Sequence, residues 1–485
     1  MKHRLWILTI FLVGCSLAPP YQPPVPLLPT AWTENATHPL EEHWWQRFDD
    51  PTLNALVTEA LRHNRDLAVA LARVDRAAAA AGQSRSALGP DLAADGSGGE
   101  TWTSRRIDGG GPPEGREKSR LHAVYLGASW ELDLWGKYRN ALYGAEANLR
   151  ASEADLEGAR LLVAGSTVKG YFDLLSYDFQ VRIADQTLGQ RLQALEFHAL
   201  NEKFGFSSRA DLVRAQSEVE SARYNLAMAR LGRDGAHSAL LVLLGRSPDE
   251  ILRGVEPSRV NDLVALPVAP VLPDGLPSNL LARRPDLRAA EEGLRAAHFD
   301  VGVVRADYFP SFSLTGQAGT AAKDVGDFGF GAARSWTYGL SLHLPLDFWT
   351  TRFRELMAEA KCREAAATYE KAVQAAFRDI RDALARQALL AEAAVALERQ
   401  IGDLREAVAK ADDRYRNGYS NFLDVLDADR SLFSAQLDWA QTRTRQLQAM
   451  VDVCLALGGG WSDVPAESAS DAGVTMRERR DGGIQ

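Results

Sequence analysis

The sequence predicts an α+β membrane protein in which each chain gives four β-strands to a transmembrane β-barrel shared between chains, continued by very long helices that form a tube. Three observations predict this fold: a structural unit that occurs twice, segments of period-two alternation, and helical segments of 67 residues without proline. The net charge of -9, with no block of Lys and Arg, argues against nucleic acid as a partner.

The internal two-fold repeat is visible in three pairs of motifs that lie about 215 residues apart. An offset that stays nearly constant over distant landmarks indicates that a whole unit was copied. The first repeat spans residues 51–244 and the second 278–461, and a proline-containing segment, 245–277, joins them. The matched pairs are Asp66-Leu67 with Asp286-Leu287, Asp133-Leu134-Trp135 with Asp347-Phe348-Trp349, and Phe204-Gly205-Phe206-Ser207 with Asn417-Gly418-Tyr419-Ser420.

The N-terminus, residues 1–14, reads as a signal peptide. Lys2 and Arg4 precede the apolar run 5–13, which is far shorter than the ~20 residues of a membrane-spanning helix. The run ends in Leu-Val-Gly-Cys15, which resembles the lipobox of bacterial lipoproteins, in which the cysteine thiol receives diacylglycerol. The alternative is an ordinary cleaved signal with an incidental cysteine. Residues 15–50 are then a lipidated, extended, proline-rich segment, and Ser16 after the cysteine favours the outer membrane by the same resemblance.

Each repeat follows the order helix, two strands, very long helix, turn, helix. The first predicted helix covers residues 52–88, after Asp50 and Pro51. Each of the two long helices has 67 residues and would be about 100 Å long if continuous. A filamentous coiled coil is the alternative, but a sustained leucine heptad is missing. The remaining predicted elements are strands 90–106 and 121–134, helices 136–202 and 208–244, strands 310–320 and 335–348, and helices 350–416 and 421–457.

The strand segments alternate between apolar and polar residues with period two. In residues 335–348 the apolar side chains include Trp336, Tyr338, Leu340 and Leu342, and residues 122–134 repeat the pattern. Such segments of about ten residues are typical of transmembrane β-barrels, and a soluble β-sandwich would alternate in the same way. The export signal and the lipid anchor favour the barrel. Four strands do not close a barrel and an open edge has no partners in hydrocarbon, so several chains must share one barrel.

Six spaced motifs resemble those of the outer membrane efflux protein family, within it the lipoprotein branch of the TolC-like outer-membrane factors. The similarity covers roughly residues 15–461. The motifs are Arg284-Pro285-Asp286-Leu287-Arg288-Ala289-Ala290-Glu291, Phe309-Pro310-Ser311-Phe312, Arg414-Tyr415-Arg416-Asn417-Gly418, Leu423-Asp424-Val425-Leu426-Asp427-Ala428, Ala456-Leu457-Gly458-Gly459-Gly460-Trp461, and the Ala-Pro-x-Tyr continuation of the lipobox.

The resemblance implies a homotrimeric duct with a twelve-stranded barrel in the outer membrane, lipid-anchored at Cys15, and a tunnel of twelve helices that extends into the periplasm. Its partners would be outer-membrane lipid, a periplasmic adaptor and a proton-driven inner-membrane transporter. The duct would passively conduct small toxic compounds or drugs and so confer antibiotic resistance, with no catalytic residue, no metal and no cofactor beyond the covalent lipid. Segment 245–277 would form an equatorial belt, and residues 462–485 read as a disordered tail.

Two other functions remain open from the sequence. A conduit for type I protein secretion needs the same duct with a different inner-membrane exporter. A structural envelope lipoprotein would carry no current, and the alternation at residues 335–348 argues against it.

A periplasmic gate is predicted at the second helix tip, residues 416–427, by what the resemblance implies for Leu423, Asp424 and Asp427. Their i, i+3 and i, i+4 spacings place all three on one side of a helix. Around a threefold axis they would form carboxylate rings and an apolar collar that favour cations and respond to pH and divalent ions. The chain would turn at each tip through Gly205 or Gly418.

Helix capping is the alternative explanation for two of the acids at the tips. Ser208 with Asp211, and Asn421 with Asp424, have the spacing of an N-cap residue and an acid at the third helical position, whereas Asp427 lies beyond the first turn. The resemblance implies that the hydroxyl of Tyr415 links the neighbouring helix pair near Asp211. Ser420 stands where some relatives have an arginine, so either the tip closes more loosely or a substitute such as Arg209 or Arg416 replaces that charge.

Overall fold

A computed structural model of the chain describes residues 17–21, 24, 43–104, 116–256, 263, 283–323 and 333–459. The predicted signal peptide 1–14, the lipidation site Cys15 and the predicted tail 462–485 lie outside these residues. So does most of the joining segment 245–277.

The described elements follow one order twice: helix, two strands, long helix, helix. A 3-10 helix, Trp44–Phe48, precedes the first set. The helices and strands are α1 Pro51–His63, α2 Arg65–Ser86, β1 Asp91–Ser104, β2 Arg116–Glu131, α3 Lys137–Lys203, α4 Arg209–Leu243, α5 Pro248–Arg253, α6 Pro285–Ala306, β3 Ser311–Ala322, β4 Arg334–His343, α7 Phe348–Arg416 and α8 Phe422–Ala456.

Helices α3 and α7 are continuous over 67 and 69 residues. In the part of the chain that the structure describes, no helix is both long and apolar enough to cross a membrane.

The predicted helix 52–88 is wrong in one respect, because it is two helices that meet at Asn64. The Asn64 Oδ1 atom accepts hydrogen bonds from the backbone N–H groups of Asp66 (2.8 Å) and Leu67 (3.3 Å). Its Nδ2 atom donates to the carbonyl oxygen of Leu243 at 2.9 Å. Asparagine at such a position caps a new helix, so α2 begins directly after Asn64.

Two strands also end earlier than the sequence predicts, because an aspartate after each of them caps the next helix. Strand β4 stops at His343 rather than at 348, and Asp347 accepts from the N–H of Thr350 at 3.1 Å. Strand β2 stops at Glu131 rather than at 134, and Asp133 accepts from the N–H of Arg139 at 2.9 Å. The aspartate in each Asp-x-Trp motif therefore belongs to the helix start.

Strand β2 begins at Arg116, five residues before the predicted start, where the apolar alternation is absent. Glu100 on β1 explains this extension, since it pairs with Lys118 at 2.7 Å and with Arg120 at 3.1 Å. Cross-strand charge pairs of this kind support a β-ladder without apolar residues.

The chain divides into two compact units. Unit 1 comprises residues 1–26, 70–155 and 286–372, and unit 2 comprises 27–69, 156–285 and 373–485. Unit 1 holds one antiparallel sheet with the order β1-β2-β3-β4, so strands from the two repeats pair directly through β2 and β3. Strands β1 and β4 lie at its edges.

One face of this sheet is apolar and exposed. In the register, Trp130 lies opposite Leu314, and Leu314 lies opposite Leu340, so these side chains share that face. The most exposed are Trp336 at 73% and Tyr338 at 75%, whose rings stack 5.6 Å apart. Exposed apolar area on this scale needs a partner or a lipid environment.

The core of unit 2 is made of aromatic and aliphatic side chains, with Trp44, Phe48, Tyr171 and Phe172 almost fully buried. Asp50, also buried, caps α1 by accepting from the N–H of Thr52 at 2.8 Å. Its second carboxylate oxygen accepts from the hydroxyl of Tyr171 at 2.7 Å, so the carboxylate is buried with its hydrogen bonds satisfied.

Candidate functional site: the two helix tips

The first tip, residues 203–212, joins α3 to α4, and the second tip, residues 416–427, joins α7 to α8. Both lie in unit 2. The two turns have the same hydrogen bonds: the N–H of Phe206 donates to the Asn201 carbonyl, and the N–H of Tyr419 donates to the Arg414 carbonyl, each at 2.8 Å. This 6→1 bond defines a Schellman motif.

The motif requires a left-handed residue, which is Gly205 with φ 79° in the first tip and Gly418 with φ 75° in the second. We expect Gly418→Ala to lower the local stability of the second tip by about 1–2 kcal/mol, because a β-carbon collides with the next carbonyl in this conformation. As a control, Gly402→Ala in the interior of α7, where an added β-carbon meets nothing within 4 Å, should raise stability by about 0.5–1 kcal/mol. Hydrogen exchange of residues 410–425 measures both, and equal effects would contradict the prediction.

Both tips are followed by capped helices. Ser208 Oγ accepts from the N–H of Asp211 at 3.1 Å, and Asn421 Oδ1 accepts from the N–H of Asp424 at 3.1 Å. The Asp211 carboxylate also accepts from the Ser208 hydroxyl at 2.6 Å and pairs with Arg214 at 3.6 Å. Asp211 therefore acts within its own helix start.

The three residues predicted to form the gate share one exposed face at the start of α8. Leu423 is 40% exposed, and the side chains of Asp424 and Asp427 are exposed as well. Phe422 and Leu426, on the opposite face, are buried in a small cluster with Ala215 of α4. Neither gate carboxylate has a hydrogen bond or ion pair to another described residue. The packing of α8 therefore leaves this acidic face uncovered within the chain.

Tyr415 lies at the end of α7 in a group of four aromatic rings. Its ring centroid is 5.7 Å from that of Phe422 and 5.8 Å from that of His198, and Phe197 lies beside His198. Partial burial raises the pKa of the Tyr415 hydroxyl, and the negative charge of Asp211 adds to the effect. The two side chains are thus neighbours, although no hydrogen bond joins them in the described part of the chain.

Arg209 and Arg416 do not supply a charge between the two helix pairs. Arg209 pairs with Glu202 of the adjoining helix α3 at 3.7 Å, and Arg416 pairs with Asp412 of its own helix at 2.9 Å. The hydroxyl of Ser420 is buried and has no hydrogen-bond partner among the residues described.

An ionic network, which we call the Glu218 network, lies between the two helix pairs and is centred on the buried side chains of Arg191 and Glu218. Glu218 of α4 accepts from Arg191 of α3 and, through the same carboxylate, from Arg430 of α8, whose Nε atom lies at 3.1 Å. Arg191 also reaches Asp429 of α8 at 3.4 Å and the Glu218 carbonyl at 3.3 Å. The network joins the first helix pair to the second. Burial raises the pKa of the Asp429 carboxyl, and Arg191 partly offsets this.

Sequence reasoning missed the Glu218 network, although one signal for it exists. On α4 the buried positions are Leu212, Ala215, Val219, Ala222 and Leu226, and Glu218 lies within this apolar stripe with a side chain that is 5% exposed. A lone acid in an apolar helical stripe indicates a buried ion pair, because an unpaired buried charge is very costly. The identity of its partners does not follow from that signal.

Comparisons by sequence and by structure both find outer membrane proteins of efflux systems. A sequence model of the family described as "Outer membrane efflux protein" matches residues 56–246 and 276–459. The chain is 30% identical to the probable efflux pump outer membrane protein TtgC of Pseudomonas putida, covering 97% of this chain and 98% of that protein. It is 31% identical to the outer membrane protein OprJ of Pseudomonas aeruginosa, covering 94% and 95%.

Solved structures are similar over almost the whole chain. The outer membrane channel CmeC of Campylobacter jejuni matches with a TM-score of 0.86 and 26% identity, covering 96% of this chain and 98% of that one. The outer-membrane channel OprN matches with a TM-score of 0.82 and 32% identity, covering 92% and 100%.

Proposed function

The chain belongs to the outer membrane efflux protein family and acts as an outer-membrane exit duct of an efflux system, and we propose that it does so as a homotrimer with an acidic gate at its helix tips. Its partners would be a periplasmic adaptor and a proton-driven inner-membrane transporter, and its cargo small toxic compounds or drugs. The family is one of ducts, so we assign no catalytic residue and no metal to this chain.

The observation that supports the trimer is the four-stranded sheet, which has one exposed apolar face and strands β1 and β4 at its edges. An open edge leaves backbone groups without partners in lipid, so β1 of one copy must pair with β4 of another. Three copies would supply three times four, or twelve, strands, an even number that leaves a lumen.

The gate proposal rests on the exposed face of Leu423, Asp424 and Asp427. Around a threefold axis these residues would meet as an apolar collar and two carboxylate rings. Two carboxylates ~6 Å apart repel by about 0.7 kcal/mol in water and by more where water is scarce. Closure of the duct would therefore attract cations to the tip.

Single-channel recording of the purified full-length protein in planar bilayers tests the duct itself. We expect small, cation-selective currents, since the tips are closed at rest in this proposal. If protein whose insertion is confirmed by protease protection gives no current, the result would contradict the duct and support a structural lipoprotein.

Cys15 is proposed as the lipid anchor. We expect Cys15→Ser to abolish incorporation of labelled palmitate and the corresponding added mass of the mature N-terminus, because only a thiol accepts the diacylglycerol. Cys362→Ser, which removes a partly buried cysteine of α7, is the matched control and should leave the label unchanged. Labelling that persists in Cys15→Ser would refute the lipobox interpretation.

A further inference from the structure

A cavity of about 580 Å³ lies just inside the two tips, in unit 2. The last turns of α3, the last turns of α7 and the first turns of α8 line it. Its volume is in the range of sites for small organic molecules, about 300–1,000 Å³. None of the residues assigned to the acidic gate lines it.

One part of the wall of this tip cavity is aromatic. Phe197, His198, Tyr415 and Phe422 line it, and the His198 and Phe422 ring centroids are only 4.0 Å apart. Aromatic walls of this kind favour a flat, unsaturated ring, which packs edge-to-face or offset against them. Four of the five charged side chains that line it are paired with each other, Arg191 with Asp429 at 3.4 Å and Arg416 with Asp412 at 2.9 Å. The fifth, Arg405, is exposed, so water solvates its charge. The cavity therefore suits an uncharged molecule better than an ion.

His198 provides a polar group within the aromatic part of the tip cavity. The residue is 1% exposed, and its Nδ1 atom is buried with no hydrogen-bond partner among the described residues. Burial lowers the pKa of the imidazole, against the opposing charge of Asp211, so the ring is neutral at neutral pH. A neutral imidazole nitrogen either donates or accepts according to its tautomer, and a hydroxyl group complements both cases. A buried nitrogen without a partner is unfavourable, which favours a ligand that bonds to it.

We propose that the tip cavity is a binding site for an uncharged aromatic alcohol, whose rings pack among Phe197, Tyr415 and Phe422 and whose hydroxyl group hydrogen-bonds to His198 Nδ1. Such a ligand contacts α3, α7 and α8 at once. It therefore stabilises the arrangement in which these helices are close together, as any ligand stabilises the state that binds it. The stabilisation of this closed arrangement rests on the proposed gate, whereas the binding of the ligand does not.

Equilibrium dialysis with 2-naphthol tests the binding. The full-length protein in lipid nanodiscs is placed opposite empty nanodiscs, so that partition of the probe into lipid cancels. We expect one saturable site per chain with a dissociation constant of about 100 µM, as ligand efficiency allows for a probe of this size. Naphthalene, which lacks the hydroxyl group, should bind about ten-fold more weakly.

Three variants connect the binding to the cavity. Val408→Trp and Ala194→Phe fill it from α7 and α3 and should each abolish binding of 2-naphthol, and either one suffices if the other does not fold. His198→Leu should weaken 2-naphthol about ten-fold and leave naphthalene unchanged. Val213→Trp, which adds the same indole to an exposed position of α4 outside the cavity, should bind as the wild type does.

The proposal would be overturned if, at millimolar 2-naphthol, the compartment with the protein held no more probe than the compartment with empty nanodiscs. Solvent would then fill the cavity. Binding that survives both filling variants would also overturn it, since the probe would lie elsewhere. Equal affinity in His198→Leu would refute the role of the hydroxyl group. In bilayers, 2-naphthol should reduce the conductance of the wild type but not of Val408→Trp; if it binds without this effect, the gating step alone fails.

Discussion

Replacement of Asp424 and Asp427 together by alanine is expected to raise the single-channel conductance several-fold and to reduce the preference for cations. Both carboxylates lie in the second tip, on the exposed face of the first two turns of α8. In the proposed trimer the double variant removes six negative charges, two from each of three chains, from the narrowest part of the duct. Without them, cations lose their binding site and the tip loses the ordered ring of carboxylates that bound ions hold together.

The matched control is Asp438→Ala. Asp438 is also exposed on α8, but it lies eleven residues, about 16 Å, further from the tip. We expect it to change neither conductance nor selectivity appreciably. In cells lacking their own duct, the double variant should increase sensitivity to large antibiotics, whereas Asp438→Ala should not. Wild-type conductance and selectivity in the double variant would refute the acidic gate.

The features that the sequence predicted well are those with a local signal. Period-two alternation placed Trp336, Tyr338 and Leu340 on one face of a strand, and the sheet has that face. Long stretches without proline predicted α3 and α7 to within two residues at each end. Such patterns depend only on neighbours in the chain, so they survive without knowledge of the tertiary structure.

The features that were missed depend on distant residues. The break at Asn64 becomes favourable because its side chain bonds to Leu243, 179 residues away. In the Glu218 network, Glu218 and Arg430 are 212 residues apart. The link from Tyr415 to Asp211, which the resemblance implies, stays a prediction, and the Asp211 carboxylate accepts a hydrogen bond from Ser208 at the start of its own helix. Sequence spacing alone does not separate these two roles.

The Glu218 network gives the second large prediction. Glu218→Gln preserves the size of the side chain but gives Arg191, which is 7% exposed, a neutral amide in place of its nearer carboxylate, so that only Asp429 at 3.4 Å still balances its charge. Breaking a buried ion pair by changing one partner costs about 3–5 kcal/mol. The contact between the two helix pairs should therefore open about a hundred-fold to a few thousand-fold more often, and hydrogen exchange at residues 195–220 and 420–430 should accelerate accordingly. Conductance should rise in parallel.

Glu220→Gln is the control for this variant. Glu220 lies on the same helix, two residues further on, and pairs with Arg223 at 2.7 Å, but both side chains are more than half exposed. Exposed pairs contribute about 0–1 kcal/mol, so exchange and conductance should stay close to those of the wild type. If Glu218→Gln behaves in the same way as Glu220→Gln, the network does not hold the helix pairs together.

An apolar replacement separates two possible roles of the network. Arg191→Met, Glu218→Met and Arg430→Met together leave Asp429 as the remaining charge of the network, and its side chain, 27% exposed, keeps contact with water. Apolar replacement of a buried ion pair is often neutral or stabilising. Slow exchange should therefore return in the triple variant. The open state should differ, however, because water solvates separated charges well and separated methionines poorly. We therefore expect the triple variant to close more firmly than the wild type and to support less efflux. In the wild type, water solvates the separated charged side chains and so stabilises the open state.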